Sequence, residues 1–201
     1  MAVVQLYTGI ILAGGQSSRL GMDKGLIDWH GRKIIEYAID TLVPFCTEII
    51  ISSNNQYYKQ FSHRVIPDFR TGHGPMMGLY SALKSTSTRS NLVLAVDNIL
   101  VTGAFYQYLL SKDISDSWIA VPYIHNQFYE PLVGYYKTDC ISVMDQMMRA
   151  GNYKLPDLFS KVPVTKLNVE SDFSSIHPDY FRSLNRPDDL LLLNVLPPGR
   201  L

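Results

Sequence analysis

G-I-I-L-A-G-G-Q-S-S-R-L-G-M-D-K-G, residues Gly9 to Gly25, is the stretch from which the rest of the chain is read. It opens as a short apolar run, Gly9 to Ala13, suited to a buried strand. It then breaks into paired glycines and small polar residues and carries two cations, Arg19 and Lys24, before the next regular element. A strand that opens into a glycine turn leaves backbone N–H groups at its carboxyl end. Without a Cβ at Gly14 and Gly15, such a turn can wrap an anion closely. Fixed positive charge from Arg19 and Lys24 suits a polyphosphate, so the expected ligand is a nucleotide.

The composition agrees with a globular nucleotide-binding protein and removes other classes. The chain has 201 residues, enough for one domain with a real core, and it is read as a single domain over 1–201. Lys plus Arg equals Asp plus Glu at 18 each, so no global field draws in nucleic acid or an anionic membrane. The two cysteines, Cys46 and Cys140, form no C-x-x-C pair, and reduced core thiols are expected. The five histidines show no ligand spacing and are read as loop or surface residues. No leader-like segment or membrane-length apolar run is present, which predicts a cytoplasmic protein.

Outward from the opening strand, solid apolar runs alternate with helical periodicity. Glu48 to Ser52, Leu92 to Val96, Trp118 to Val121 and Leu132 to Tyr136 read as buried strands, with a shorter one at Arg64 to Ile66. Ile34, Ile35, Ala38, Ile39 and Leu42 recur at helical spacing, and Pro75 starts a second helix lined by Met76, Met77, Leu79, Tyr80 and Leu83. Helices are also expected from about Ala104 to Leu110 and from Thr138 to Ala150. The more broken end predicts a short helix near Pro156, strands at Val164 to Val169 and Phe181 to Leu184, and a last helix after Pro187. This order predicts an α/β fold: a three-layer, Rossmann-like α/β/α arrangement with a mostly parallel (mixed) central sheet and helices on both faces. Ligands of such sheets sit at the carboxyl ends of the strands. There the chain places the glycine loop, Ser52 to Asn55, Asp68 and Asp97-Asn98.

The glycine loop is neither of two familiar phosphate motifs. A Walker A loop needs Ser or Thr after its lysine, whereas Lys24 precedes Gly25. The G-x-G-x-x-G dinucleotide spacing fails as well. Leu12-Ala13-Gly14-Gly15, Arg19, Leu20, Gly21, Asp23 and Lys24 instead resemble the nucleotidyltransferase signature L-A-G-G-x-x-x-R-hydrophobic-G-x-D-K. Within that superfamily the chain is similar to the molybdenum cofactor guanylyltransferases. D-K-G-L at Asp23 to Leu26, G-P-M-M-G-L at Gly74 to Leu79, E-P-L at Glu130 to Leu132 and L-N-R-P-D-D-L at Leu184 to Leu190 carry the likeness.

The resemblance implies transfer of GMP from GTP to the phosphate of molybdenum-bound molybdopterin, with Mg²⁺ as cofactor and pyrophosphate leaving. It implies that Leu12, Ala13, Gly14, Gly15 and Lys24 hold the nucleotide and that Arg19 braces the departing phosphates. Asp68 would contact the nucleotide, and Asp97 would contact it and carry the metal. The family's asparagine after the second strand falls on Ser52. Asn185 and, in the G-N-Y-K stretch, Lys154 are the acceptor-side candidates. Molybdenum-insertion proteins and molybdoenzymes are the partner proteins implied. Where the family has Asp-x-Pro, this chain has Asp97-Asn98-Ile99, and Asn98 is expected to orient Asp97 or a metal's waters. Two other readings stay open: a cytidylyl or sugar-phosphate nucleotidyltransferase of the same fold, and a catalytically silent nucleotide-binding protein.

Overall fold

A computed structural model of the chain describes residues 6–14, 23–124, 128–172, 178–185 and 189. The elements in chain order begin with strand β1 (Tyr7–Leu12), the hairpin strands β2 (Asp28–Trp29) and β3 (Arg32–Lys33), helix α1 (Ile34–Leu42) and strands β4 (Glu48–Ser52) and β5 (Arg64–Ile66). Helix α2 (Gly74–Leu83), strand β6 (Ser90–Ala95), helix α3 (Gly103–Ser111) and strands β7 (Ile119–Ile124), β8 (Phe128–Tyr129) and β9 (Val133–Lys137) follow. Helices α4 (Cys140–Arg149) and α5 (Leu155–Leu158), strand β10 (Val164–Asn168) and helix α6 (Val169–Asp172) complete the set.

The main sheet has the order β10-β7-β9-β6-β1-β4-β5, with β8 paired on β7. β6, β1, β4 and β5 run parallel, as do β10 and β7; β9 lies antiparallel between β6 and β7. This is the mostly parallel, mixed sheet that the alternation of elements predicts. The period-two geometry of a strand divides its side chains between two cores. Ile11, Ile49, Ile51, Leu92 and Leu94 pack with the apolar faces of α1 and α3. Ile10, Leu12, Ile50 and Val93 pack on the other side with α2 and α4. With helices on both faces, a strand of alternating polarity would put polar groups into one core. The apolar runs of β1, β4 and β6 answer that requirement.

Helix α2 departs from the usual one-sided pattern because every residue from Met76 to Leu83 is buried. It packs against β1 and β4 on one side and α4 on the other. Met76 and Met77 are core residues, as expected. Cys46 and Cys140 are free thiols, and burial pushes both up to about 12, so neither ionises near neutrality.

Three sequence expectations need correction or completion. The segment Phe181–Leu184, expected to be a strand, is a 3-10 turn (Pro178–Phe181) running into irregular chain. Tyr180, Phe181 and Leu184 are all buried, so the triplet's apolarity reflects plugging of the core. The Leu184 N–H bonds the carbonyl of Asp97, beyond the end of β6. The short strand β8 falls where a loop was expected. The helix expected after Pro187 lies outside the described residues. Among the described residues no helix is long and apolar enough to cross a membrane.

Ile50 is fully buried in the central parallel strands. Ile50→Ala is expected to destabilise the protein by about 3 kcal/mol, read from the urea unfolding midpoint.

Candidate active site

Strand register decides where the polar residues gather. Leu12 pairs with Ser52 on one side and Ala95 on the other, so β1, β4 and β6 end side by side. Short extensions of the ladder follow: Ala13 N–H bonds Ser52 C=O at 3.0 Å and Val96 N–H bonds Leu12 C=O at 3.0 Å. The chains that leave the sheet there, Ala13-Gly14, Ser53-Asn54 and Val96-Asp97, open into a crevice of about 960 Å³. That volume suits a nucleotide-sized ligand. Because the Ala13 N–H is spent on the sheet, Gly14 is the first residue of the loop that lies beyond the ladder.

Lys24 is the meeting point of three remote segments. Its Nζ donates to Asp97 Oδ2 at 2.8 Å and to Asn185 Oδ1 at 3.0 Å. The Lys24 and Asp97 side chains are only 17% and 23% exposed, which limits solvent screening of the pair. Lys24 stands where it does because Asp23 anchors the end of the glycine loop. The Asp23 carboxylate accepts from the Gly25 N–H at 3.2 Å, from Asn55 Nδ2 at 2.8 Å and from the Tyr58 hydroxyl. Burial, and next the bond to Asp23, raise the Tyr58 hydroxyl above its ordinary range, so it stays a donor. A Cβ on Gly25 would lie 2.3 Å from the Tyr58 hydroxyl oxygen, and only glycine lets the chain turn this close.

The opposite rim is built by β4, β5 and α2. Asn54 and Asp68 close on each other: Asn54 Nδ2 donates to Asp68 Oδ2 at 3.0 Å, and the Asp68 N–H donates to Asn54 Oδ1 at 2.9 Å. Ser52 is buried and its hydroxyl donates to Gly78 C=O at 3.1 Å, tying α2 to the end of β4. Gly78 permits that approach, since a Cβ there would stand 3.0 Å from Ser52 Oγ and 3.4 Å from Asp68 Oδ1. Gly74 and Pro75 also line the crevice, which turns the amino-terminal end of α2 toward it.

The structure thus brings Leu12, Ala13, Gly14, Lys24, Ser52, Asp68, Asp97 and Asn185 to one crevice. Gly15 and Arg19 lie outside the described residues. Lys154 is exposed and is not among the lining residues. It follows Tyr153, whose ring stacks on His73 at 4.2 Å, and His73 lies between the rim residues Gly72 and Gly74.

Two contributors escaped sequence reasoning. Asp23 and Asn55 were visible as motif and rim residues, but the hub they form needs Tyr58, which carries no motif. Glu130, seen only as part of E-P-L, is the second. It sits where β8 meets β9, its N–H on Pro122 C=O at 3.2 Å, and Leu132 C=O accepts from the Ala95 N–H at 2.8 Å. Burial, and then the nearby Asp97 charge, push the Glu130 carboxyl up to about 7.

The chain matches the model of the MobA-like NTP transferase domain over residues 9–165. It is 30% identical over 192 residues to a probable molybdenum cofactor guanylyltransferase of Flavobacterium johnsoniae, covering 96% of this chain and 98% of that protein. It is 31% identical over 184 residues to the molybdenum cofactor guanylyltransferase of Shewanella halifaxensis, covering 89% of each. Among solved structures it is similar to molybdopterin-guanine dinucleotide biosynthesis protein A from Archaeoglobus fulgidus. That similarity has a TM-score of 0.77 and 25% identity, covering 92% of this chain and 96% of that one. The 4-diphosphocytidyl-2C-methyl-D-erythritol synthase of Anaerococcus prevotii shares the fold, with a TM-score of 0.70 at 12% identity, over 96% of this chain and 98% of that one.

Glu130 makes stability depend on pH in a defined sense. Its carboxyl ordinarily titrates at 4.5 and here near 7, so between these values the folded chain holds a proton that the unfolded chain has lost. Stability therefore falls as pH rises from about 4.5 to about 7 and levels off above that. Urea midpoints at about pH 5 and about pH 8 should differ by on the order of 2 kcal/mol from this group, and Glu130→Gln should remove that difference.

Proposed function

The chain belongs to the MobA-like NTP transferase family, and on that premise we propose that it transfers GMP from GTP to the phosphate of molybdenum-bound molybdopterin. The products are the guanine dinucleotide form of the cofactor and pyrophosphate. The observation that carries this reading is the Lys24 ammonium held between Asp97 and Asn185 at the carboxyl ends of β1 and β6. Near-complete coverage of relatives named guanylyltransferases supports the choice of substrates over the cytidylyl alternative.

In the reaction an oxygen of the acceptor phosphate bonds to the α-phosphorus of GTP while the bond from that phosphorus to the β-phosphate oxygen breaks. The electron pair leaves with pyrophosphate. Such transfers depend chiefly on positioning and on neutralising charge. The end of β1 and the chain leaving it, Leu12 to Gly14, form the cradle for the triphosphate, with Gly15 and Arg19 assigned to the same grip. Lys24 opposes phosphate charge, and the Asp68–Asn54 pair stands at the rim near the nucleoside. Asn185, beside Lys24, faces the acceptor side.

The donor set fits a hard divalent cation. Asp97 and Asn185 present oxygen atoms, and among the described residues no cluster of three or more His, Cys, Asp or Glu forms a closed cage. Magnesium is held in this open way, by one or two carboxylates together with phosphates and waters. The described lining residues also include three carboxylates, Asp23, Asp68 and Asp97, against the single ammonium of Lys24. A triphosphate entering such a site needs further positive charge. Asp97 would hold the Mg²⁺, which supplies charge neutralisation on the phosphates.

Pyrophosphate release with GTP, Mg²⁺ and the molybdenum-loaded pterin tests the assignment, and faster release with CTP would overturn the guanine reading. Asp97→Ala is expected to lower turnover about 100-fold or more; near-native turnover would place the metal elsewhere. Lys24→Ala should weaken GTP binding about tenfold and GMP binding about twofold by calorimetry, since it removes a phosphate counter-charge. Equal losses would move Lys24 away from the β- and γ-phosphates.

A further inference from the structure

We infer that Asn98 is a positioning residue for the transfer: it clamps the segment 181–185 across the end of β6 and so delivers Asn185 to Lys24. The inference rests on the reading of Asn185 as part of the site. It departs from the expectation that Asn98 orients Asp97 or a metal's waters, because the side-chain NH₂ is spent on the segment 181–185.

Asn98 is 1% exposed, immediately after the crevice residue Asp97. Its Nδ2 donates to Phe181 C=O at 2.8 Å and to Ser183 Oγ at 3.3 Å. Its backbone is held too, N–H on Ala95 C=O at 3.0 Å and C=O accepting from Val101 N–H at 3.1 Å, so the amide side chain projects from a fixed point. Next to this clamp the Leu184 N–H bonds Asp97 C=O at 2.9 Å. Asn185 follows directly, its N–H on Asp189 Oδ2 at 2.8 Å and its Oδ1 on Lys24 Nζ. Asn185 itself is exposed, and its Nδ2 turns back to donate to Ser183 C=O at 3.3 Å. Its position therefore depends on Asp189 and on the two residues before it, and those two are tied to Asp97 and Asn98.

The Oδ1 of Asn98 is the one buried side-chain polar atom among the described residues that lacks a hydrogen-bond partner. An apolar residue of the same shape would avoid leaving an amide oxygen unpaired. What the amide contributes among the described residues is the work of its nitrogen. Two donor contacts to one remote segment are what that nitrogen provides, and no aliphatic side chain can replace them.

The test is a double-mutant cycle of Asn98→Leu and Asn185→Ala, read by turnover with GTP and the loaded pterin, by GTP affinity and by hydrogen exchange at Leu184. Asn98→Leu is expected to lower kcat about tenfold, to leave GTP affinity within about twofold and to speed exchange of the Leu184 amide. In the Asn185→Ala background it should cost less than about twofold more, because both changes remove the same contact. A multiplicative loss in the double variant, native turnover of Asn98→Leu, or a collapse of GTP affinity would each overturn the inference while leaving the role of Asn185 standing. Native turnover of Asn185→Ala would overturn that role and the inference together. Should Asn98→Leu fail to fold, Ser183→Ala enters the same cycle with the same expected pattern at smaller amplitude.

Discussion

A strand covered by helices on both faces has little room for polar side chains along its middle. In this chain the constraint falls hardest on β1, where Ile10 and Ile11 feed opposite cores and both are fully buried. Polar function is thereby pushed to the strand ends, and the matched register of Leu12, Ser52 and Ala95 makes three ends coincide. The crevice is a consequence of that alignment. Its residues need no special fold beyond the one that buries the apolar runs.

Much of this was legible in the residues. β-Branched runs identified the buried strands, and Pro75 marked the start of α2 because its ring fits a first helical turn. The candidates at the strand ends followed from the rule for open sheets. What was not legible depends on side chains that meet across long sequence separations. Nothing in the periodicity around Tyr58 says that its hydroxyl will hold Asp23, and nothing around Phe181 distinguishes an edge strand from a plug. Phe181 and Leu184 are apolar for the same energetic reason as a strand residue, yet their backbone follows the end of β6 instead of pairing in the sheet. Asn185 came from the family resemblance; its contact with Lys24 spans 161 positions and leaves no local trace.

The described lining of the crevice carries more negative than positive charge. Lys24 offsets Asp97, while the half-buried Glu130 is driven toward its protonated form by burial and by that same aspartate. The Asp68 carboxylate accepts from the Asn54 amide nitrogen while the Asn54 amide oxygen accepts from the Asp68 N–H, a reciprocal pairing that fixes the carboxylate. A partly exposed ion pair such as Lys24–Asp97 contributes roughly 1 kcal/mol or less to stability. Its value lies in where it puts the ammonium, and the Asp23 hub beneath it shares that task.

The antiparallel β9 between β6 and β7 also dictates an order of assembly. β1, β4, β5 and β6 lie in the first half of the chain and can pair as soon as Ala95 has left the ribosome. Among the described residues β7 joins that sheet through β9, so its place is set only once Lys137 follows. A nascent chain could therefore form the half with the three coincident strand ends first, with β6 as an open apolar edge awaiting its partner. Translation pausing between these two points would expose that edge longest.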